Sequence, residues 1–226
     1  MPGPSRILAV ASSAGCALAF SASAEAATVT TLPCVPVISQ IGAKTMPIAG
    51  TGFTPGGTVT VRSANSVAPT PSFLTSAMAD AAGNFSTFTS PPSFNPFSRQ
   101  EQSFALVAID GANPALGATV VYKQTRVSYK TNPTSGRPTT RALHTVRGLP
   151  VGKNVYLHFR FQGSTKRNVK LGKAKAPCGK VSKRMPLLPT RSRPGRWTVY
   201  ADQAKTYKKS TTPQLKYGFT ITRTFG

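Results

Sequence analysis

Apolar and polar residues alternate along Val155-Tyr156-Leu157-His158-Phe159-Arg160-Phe161. Val155, Leu157, Phe159 and Phe161 fall on one face, and Tyr156, His158 and Arg160 on the other. That two-residue period predicts a half-buried β-strand. The pattern returns in Arg196–Asp202, with Trp197, Val199 and Ala201 inward, and again in the stretch from Leu215 to Thr222. Between Gln124 and the C-terminus it predicts strands over Arg126–Lys130, Thr140–Arg147, Val155–Phe161, Arg167–Leu171, Lys180–Met185, Arg196–Asp202 and Gln214–Thr224. Turns at 132–137, 148–153, 162–166 and 191–195 separate most of them.

The stretch from Ala27 to Lys123 reads the same way. Strands are expected at Thr58–Arg62, Phe85–Phe88, Phe104–Ile109 and Ala118–Tyr122. Pro55-Gly56-Gly57, Asp80–Asn84 and Asp110–Pro114 are turns, because Pro fixes φ, Gly tolerates positive φ, and Asp bonds nearby backbone. Leu74–Met78 is open to a strand or a helical turn, and Pro91–Phe97 is an irregular loop. Short strands parted by Gly and Pro turns predict an all-β chain of two tandem antiparallel β-sandwich domains. The expected domains are 27–123 and 124–226. No Pro, Gly or Ser run separates them, which predicts a stiff junction.

Residues 1–26 read as a cleavable signal peptide: Arg6, an apolar run from Ile7 to Phe20, and an Ala24-Glu25-Ala26 cleavage site. A lipid-anchored Cys16 is the minor alternative. The expected location is extracellular or at the cell envelope, with no membrane span in the mature chain. Cys34 and Cys178 then remain as a candidate disulfide, the alternative being two separate thiols. Closing so long a loop would contribute about 4–5 kcal/mol in the chain-entropy model.

Gly50-Thr51-Gly52-Phe53-Thr54-Pro55-Gly56-Gly57-Thr58-Val59-Thr60-Val61, with Asp80-Ala81-Ala82-Gly83-Asn84-Phe85 downstream, resembles the signature of bacterial surface Ig-like domains. The second half carries Arg147-Gly148-Leu149-Pro150, Ala176-Pro177-Cys178-Gly179 and Gly195–Val199. It is similar to secreted two-domain proteins of high-GC Gram-positive bacteria with no assigned activity. The resemblance implies Ig-like folds and no particular function.

Charge adds a functional signal. The chain carries a formal net charge of +23. Four basic residues stand against three acids from Ala27 to Lys123, whereas 23 stand against Asp202 alone from Gln124 onward. Such asymmetry points to a polyanion partner reached through the second domain. Outward strand positions nominate Arg126, Lys130, Tyr156, His158, Arg160, Lys170, Arg196, Tyr200 and Lys216. Lys166-Arg167, Lys173-x-Lys175, Lys183-Arg184, Arg191-x-Arg193 and Lys208-Lys209 are expected to add charge from turns. The expected ligand is an anionic envelope polymer, either a wall phosphopolymer or an acidic polysaccharide. Nucleic acid stacked on Tyr156 and Tyr200 is a secondary expectation.

No catalytic site, metal or cofactor is expected. Four carboxylates survive leader removal, and the two histidines, His144 and His158, have no zinc-type spacing. His158 is expected to be half-exposed, while His144 is open to either state. A structural spacer without a ligand, and a wall-polymer hydrolase or transferase, are the alternatives.

Overall fold

The computed structural model describes residues 26–37, 45–93, 100–189, 191 and 193–222. The expected leader, Cys16 and most of the Pro91–Phe97 loop lie outside the described residues. Fifteen strands follow in order: β1 (Thr28–Thr31), β2 (Cys34–Val37), β3 (Met46–Thr51), β4 (Thr58–Asn65), β5 (Ser72–Met78), β6 (Phe85–Thr89), β7 (Glu101–Asp110) and β8 (Gly117–Arg126) come first. Then come β9 (Ser128–Asn132), β10 (Arg141–Arg147), β11 (Asn154–Phe161), β12 (Ser164–Lys173), β13 (Val181–Pro186), β14 (Gly195–Asp202) and β15 (Leu215–Ile221). No helix is present among the described residues.

The fold is all-β, and the sheets stack in two pairs. Sheet β1-β3-β6 faces sheet β2-β8-β7-β4-β5 across a core of Met46, Ile48, Phe53, Val59, Val61, Phe85, Phe104, Leu106 and Tyr122. Sheet β13-β10-β9 faces sheet β12-β11-β14-β15 across Val146, Val155, Leu157, Phe159, Val181, Trp197 and Val199. The ambiguous stretch at Leu74–Met78 is a strand. Pairing is antiparallel except between β2 and β8, which run parallel.

The two halves of the Ig-like signature meet in space. Asp80 accepts the Ala82 and Asn84 amides at 2.8 and 2.9 Å, closing the turn before β6. Gly83 has φ of 76°, and a Cβ there would overlap the Phe53 carbonyl oxygen. The Gly83 carbonyl accepts the Phe53 amide at 3.1 Å, and the Phe53 and Phe85 rings pack edge to face 5.2 Å apart. Asp110 ties the preceding loop to β7 by accepting the Thr54 amide at 2.6 Å, with the Ala112 and Asn113 amides on its other oxygen. The Thr54 hydrogen bond holds its carboxyl below the usual carboxylate range.

β8 continues past the sequence boundary at 124. Gln124 and Thr125 are buried in its sheet, and Val127 alone separates β8 from β9. Val127 already belongs to the second core. Cys34 and Cys178 form a disulfide with Cα atoms 5.3 Å apart. Glu101 pairs with Lys123 at 2.8 Å and Arg147 at 3.6 Å, and Ser128 bonds Gln100 at 3.0 Å.

Candidate functional site

Cross-strand register collects most of the nominated residues on one face. Lys170 pairs with Tyr156, and His158 and Lys216 flank Tyr200. Arg160 pairs with Thr198, and Arg196 with Thr220. Trp197, Val199, Leu157 and Phe159 point into the core, so Tyr156, His158, Arg160, Lys170, Arg196, Tyr200 and Lys216 share the opposite face. Arg126, at the end of β8, and Lys130, on β9, belong to other sheets and do not join it.

His158 corrects the sequence expectation, because it is fully buried. Its Nδ1 meets Asn168 Oδ1 at 2.7 Å and its Nε2 meets Asp202 Oδ1 at 3.0 Å. Asp202 also accepts the Ala204 amide and the Gln214 side-chain amide, at 2.8 and 2.7 Å. These bonds draw residues 203–214 back over the sheet. Tyr207 lies 6.0 Å from the His158 ring and 4.9 Å from that of Tyr200. Arg160 stacks over Tyr207 with its guanidinium carbon 4.0 Å from the ring centre, and bonds the Gly163 carbonyl. His158 is therefore withdrawn from any polymer and Arg160 is largely engaged. A catalytic dyad turns its second histidine nitrogen toward a nucleophile, whereas His158 turns it to Asn168.

His144 is also fully buried. Tyr129 Oη lies 2.7 Å from its Nδ1, and the Pro186 carbonyl lies 3.1 Å from its Nε2. Burial pushes its pKa down. Proton placement with Nε2–H donating to Pro186 and Nδ1 accepting from Tyr129 satisfies all three groups in the neutral ring.

The densest free charge lies elsewhere, on two neighbouring edge strands. β12 contributes Lys166, Arg167, Lys170 and Lys173, and β13 contributes Lys183 and Arg184. Lys175 and Lys180 join them through a two-way backbone bridge. All eight are exposed. Lys183 Nζ donates to the Lys170 carbonyl at 3.0 Å, linking the two edges. Lys166, expected in a turn, lies on β12, and Arg167, Lys183 and Arg184 lie on the strands that alternation predicts there. Of this ridge the sequence nominates Lys170 as an outward strand position and all the others except Lys180 only as added turn charge, since alternation ranks faces and does not show which edges adjoin. Seven residues of strand span about 23 Å. Arg167, Lys170 and Lys173 are three residues apart in turn, about 10 Å, close to the Debye length of about 8 Å, so their potentials overlap in part.

No acid interrupts the ridge. Asp202 is the lone Asp or Glu from Gln124 onward, and it is buried. Among the described residues no group of three or more His, Cys, Asp and Glu is placed to hold a metal ion. A groove of about 310 Å³ between β9 and β15 is lined by Tyr129, Leu188, Tyr217 and Phe219, among others. A second, of about 270 Å³, lies beside the disulfide against Pro36, Val127 and Leu149. Neither is lined by a carboxylate, histidine, lysine or arginine.

No family model matches the chain. No curated protein matches it either. Among solved structures it is similar to a tetra-tandem repeat in the extending region of a large adhesion protein. That match has 15% identity, 87% of this chain and 49% of that one covered, and a TM-score of 0.29. Trypsin-activated alpha-2-macroglobulin from Escherichia coli gives 10% identity, 85% and 17% coverage, and a TM-score of 0.36. The E. coli chaperone DraB gives 11% identity, 84% and 98% coverage, and a TM-score of 0.30. The chain spans about half the length of the adhesion repeat and under a fifth of the macroglobulin. These likenesses are remote, and neither a family nor a ligand follows from them.

Proposed function

We propose that this is a secreted, non-enzymatic protein of the cell envelope that binds anionic polymers through its second half. The observation that carries the reading is the β12–β13 ridge: eight exposed cations within residues 166–184 and no acid. The two cores are taken as two domains joined at Val127, the second being the binding module. The disulfide supports an oxidising compartment. The narrower kinship with two-domain secreted proteins of Gram-positive bacteria belongs to the same proposal. Residues 164–184 contain no aromatic side chain. Charge without a stacking platform favours phosphopolymers and acidic polysaccharides over single-stranded nucleic acid.

The test uses inorganic polyphosphate, polygalacturonate and neutral dextran across a salt series. A variant with Lys166, Arg167, Lys170, Lys173, Lys183 and Arg184 all changed to Gln is compared with a control of equal charge loss. The control changes the exposed residues Lys130, Arg141, Lys153, Arg191, Lys205 and Lys208 to Gln. The ridge variant is expected to lose affinity for both polyanions by about tenfold or more, and the control much less. Native affinity should fall steeply with salt through counterion release. Equal losses in both variants, or salt-independent binding, would overturn the ridge as the site.

A further inference from the structure

The strands at the sheet edges are not protected alike. An edge strand offers unpaired backbone groups to any passing strand, and charged side chains, above all Lys, are the usual guard. β12 carries four cations, β13 two, β9 Lys130 and β15 Lys216. β2 is four residues long and held by the disulfide. β5 is different. Its seven residues, Ser-Phe-Leu-Thr-Ser-Ala-Met, include no charge and no proline. It ends the five-stranded sheet, and among the described residues β4 is the one strand paired with it.

Beside β5 stand Arg62, exposed on β4 in register with Phe73, and Asp80 in the turn that follows. Asp80 is the only charged residue from Ser63 to Ser98. Phe73 and Met78 on β5 are 64% and 72% exposed, and Phe88 on the neighbouring β6 is 66% exposed. Thr89 Oγ1 reaches the Leu74 carbonyl at 3.5 Å, so Phe73 and Phe88 flank one contact between the two edges. An open strand edge thus has an apolar margin beside it.

We propose that β5 pairs antiparallel with β5 of a second copy, joining two five-stranded sheets into one of ten strands. Self-pairing suits an edge with no charge, since each copy presents the other with the same neutral strand, and an antiparallel pair closes on a two-fold axis. The topology suits it as well. In the order β2-β8-β7-β4-β5, the strand leading to the basic half lies near one edge and β5 forms the other. Pairing at β5 leaves the two β8 strands seven strand spacings apart, about 34 Å at ~4.8 Å each. That is several Debye lengths. Association through β12, β13, β9 or β15 would instead bring like charges together. The inference is independent of what the ridge binds.

The experiment is sedimentation equilibrium of the protein over a wide concentration range, with hydrogen exchange of residues 72–78 at both extremes. A monomer–dimer equilibrium is expected, with β5 amide exchange slowing as the dimer forms. Phe73→Lys with Met78→Lys places four new cations at a two-fold interface and should raise the dimer dissociation constant by about tenfold or more. Val121→Lys changes a residue 65% exposed on β8 of the same sheet and should leave dimerisation unchanged. A monomer at every concentration would overturn the proposal. So would a dimer indifferent to F73K/M78K, or one equally sensitive to V121K. A monomer with β5 amides already protected would mean that another segment of the chain covers the edge, and would overturn it too.

Discussion

His144 stands between two partners that suit its neutral form, with Tyr129 donating to one nitrogen and Pro186 accepting from the other. Burial lowers its pKa below the ordinary 6.5. The unfolded chain therefore binds this proton at a higher pH than the folded one does. The stability held in the neutral ring is complete above 6.5 and drains away as pH falls through the folded pKa. The slope is at most about 1.4 kcal/mol per pH unit for this one group. Denaturant titrations from pH 8 to 4 should show that loss in the native protein. In His144→Gln, which is less stable at pH 8, this component of the slope should vanish; an unchanged slope would assign the loss to other groups. Asp110 acts in a lower window: its lowered pKa gives stability that is present above its unfolded value and lost as pH falls through the folded one.

The segment from Gln203 to Gln214 has no regular structure, yet it decides which residues of a strand face water. Its anchor is Asp202, which takes donors from His158, Ala204 and Gln214. Asp202→Ala leaves His158 Nε2 and the Gln214 amide without their acceptor, and a broken buried pair of this kind costs about 3–5 kcal/mol. Unfolding titration should show a loss of that order, and amide exchange over 203–214 should quicken more than over β11. This segment also marks the limit of what the sequence disclosed. Alternation placed Val155, Leu157 and Phe159 in a core and His158 opposite them, correctly. It could not show that Tyr207 would return across that opposite face, because a period of two reports sidedness and not what covers a side. The one available sign was chemical: Asp202 is the single acid in a basic half, and so rare a carboxylate beside an apolar strand invites a buried partner. The turn motifs were more legible, since Asp80 and Gly83 act within a few residues of themselves. The adjacency of β12 and β13 depends on strand order, a long-range property that no local pattern encodes.

Across the whole molecule, charge, junction and disulfide are arranged along one line. The near-neutral half leads through β8 and a single intervening residue into the basic half, and Cys34 binds that passage to Cys178. The bridge has a mechanical consequence. Tension applied between the two chain ends travels along the covalent path through Cys34 and Cys178 and bypasses the 144-residue span between them. Pulled this way, the oxidised molecule can release β1, β13, β14 and β15, which lie outside that loop, but not β2 to β12 within it. At roughly 3.3–3.6 Å per residue, the hidden length is about 500 Å. Single-molecule extension by the termini should therefore lengthen by about that amount once reductant is added, and a Cys34→Ala variant should show the long extension from the start. Strands β2 to β12 stay shielded from tension between the ends for as long as that bond lasts.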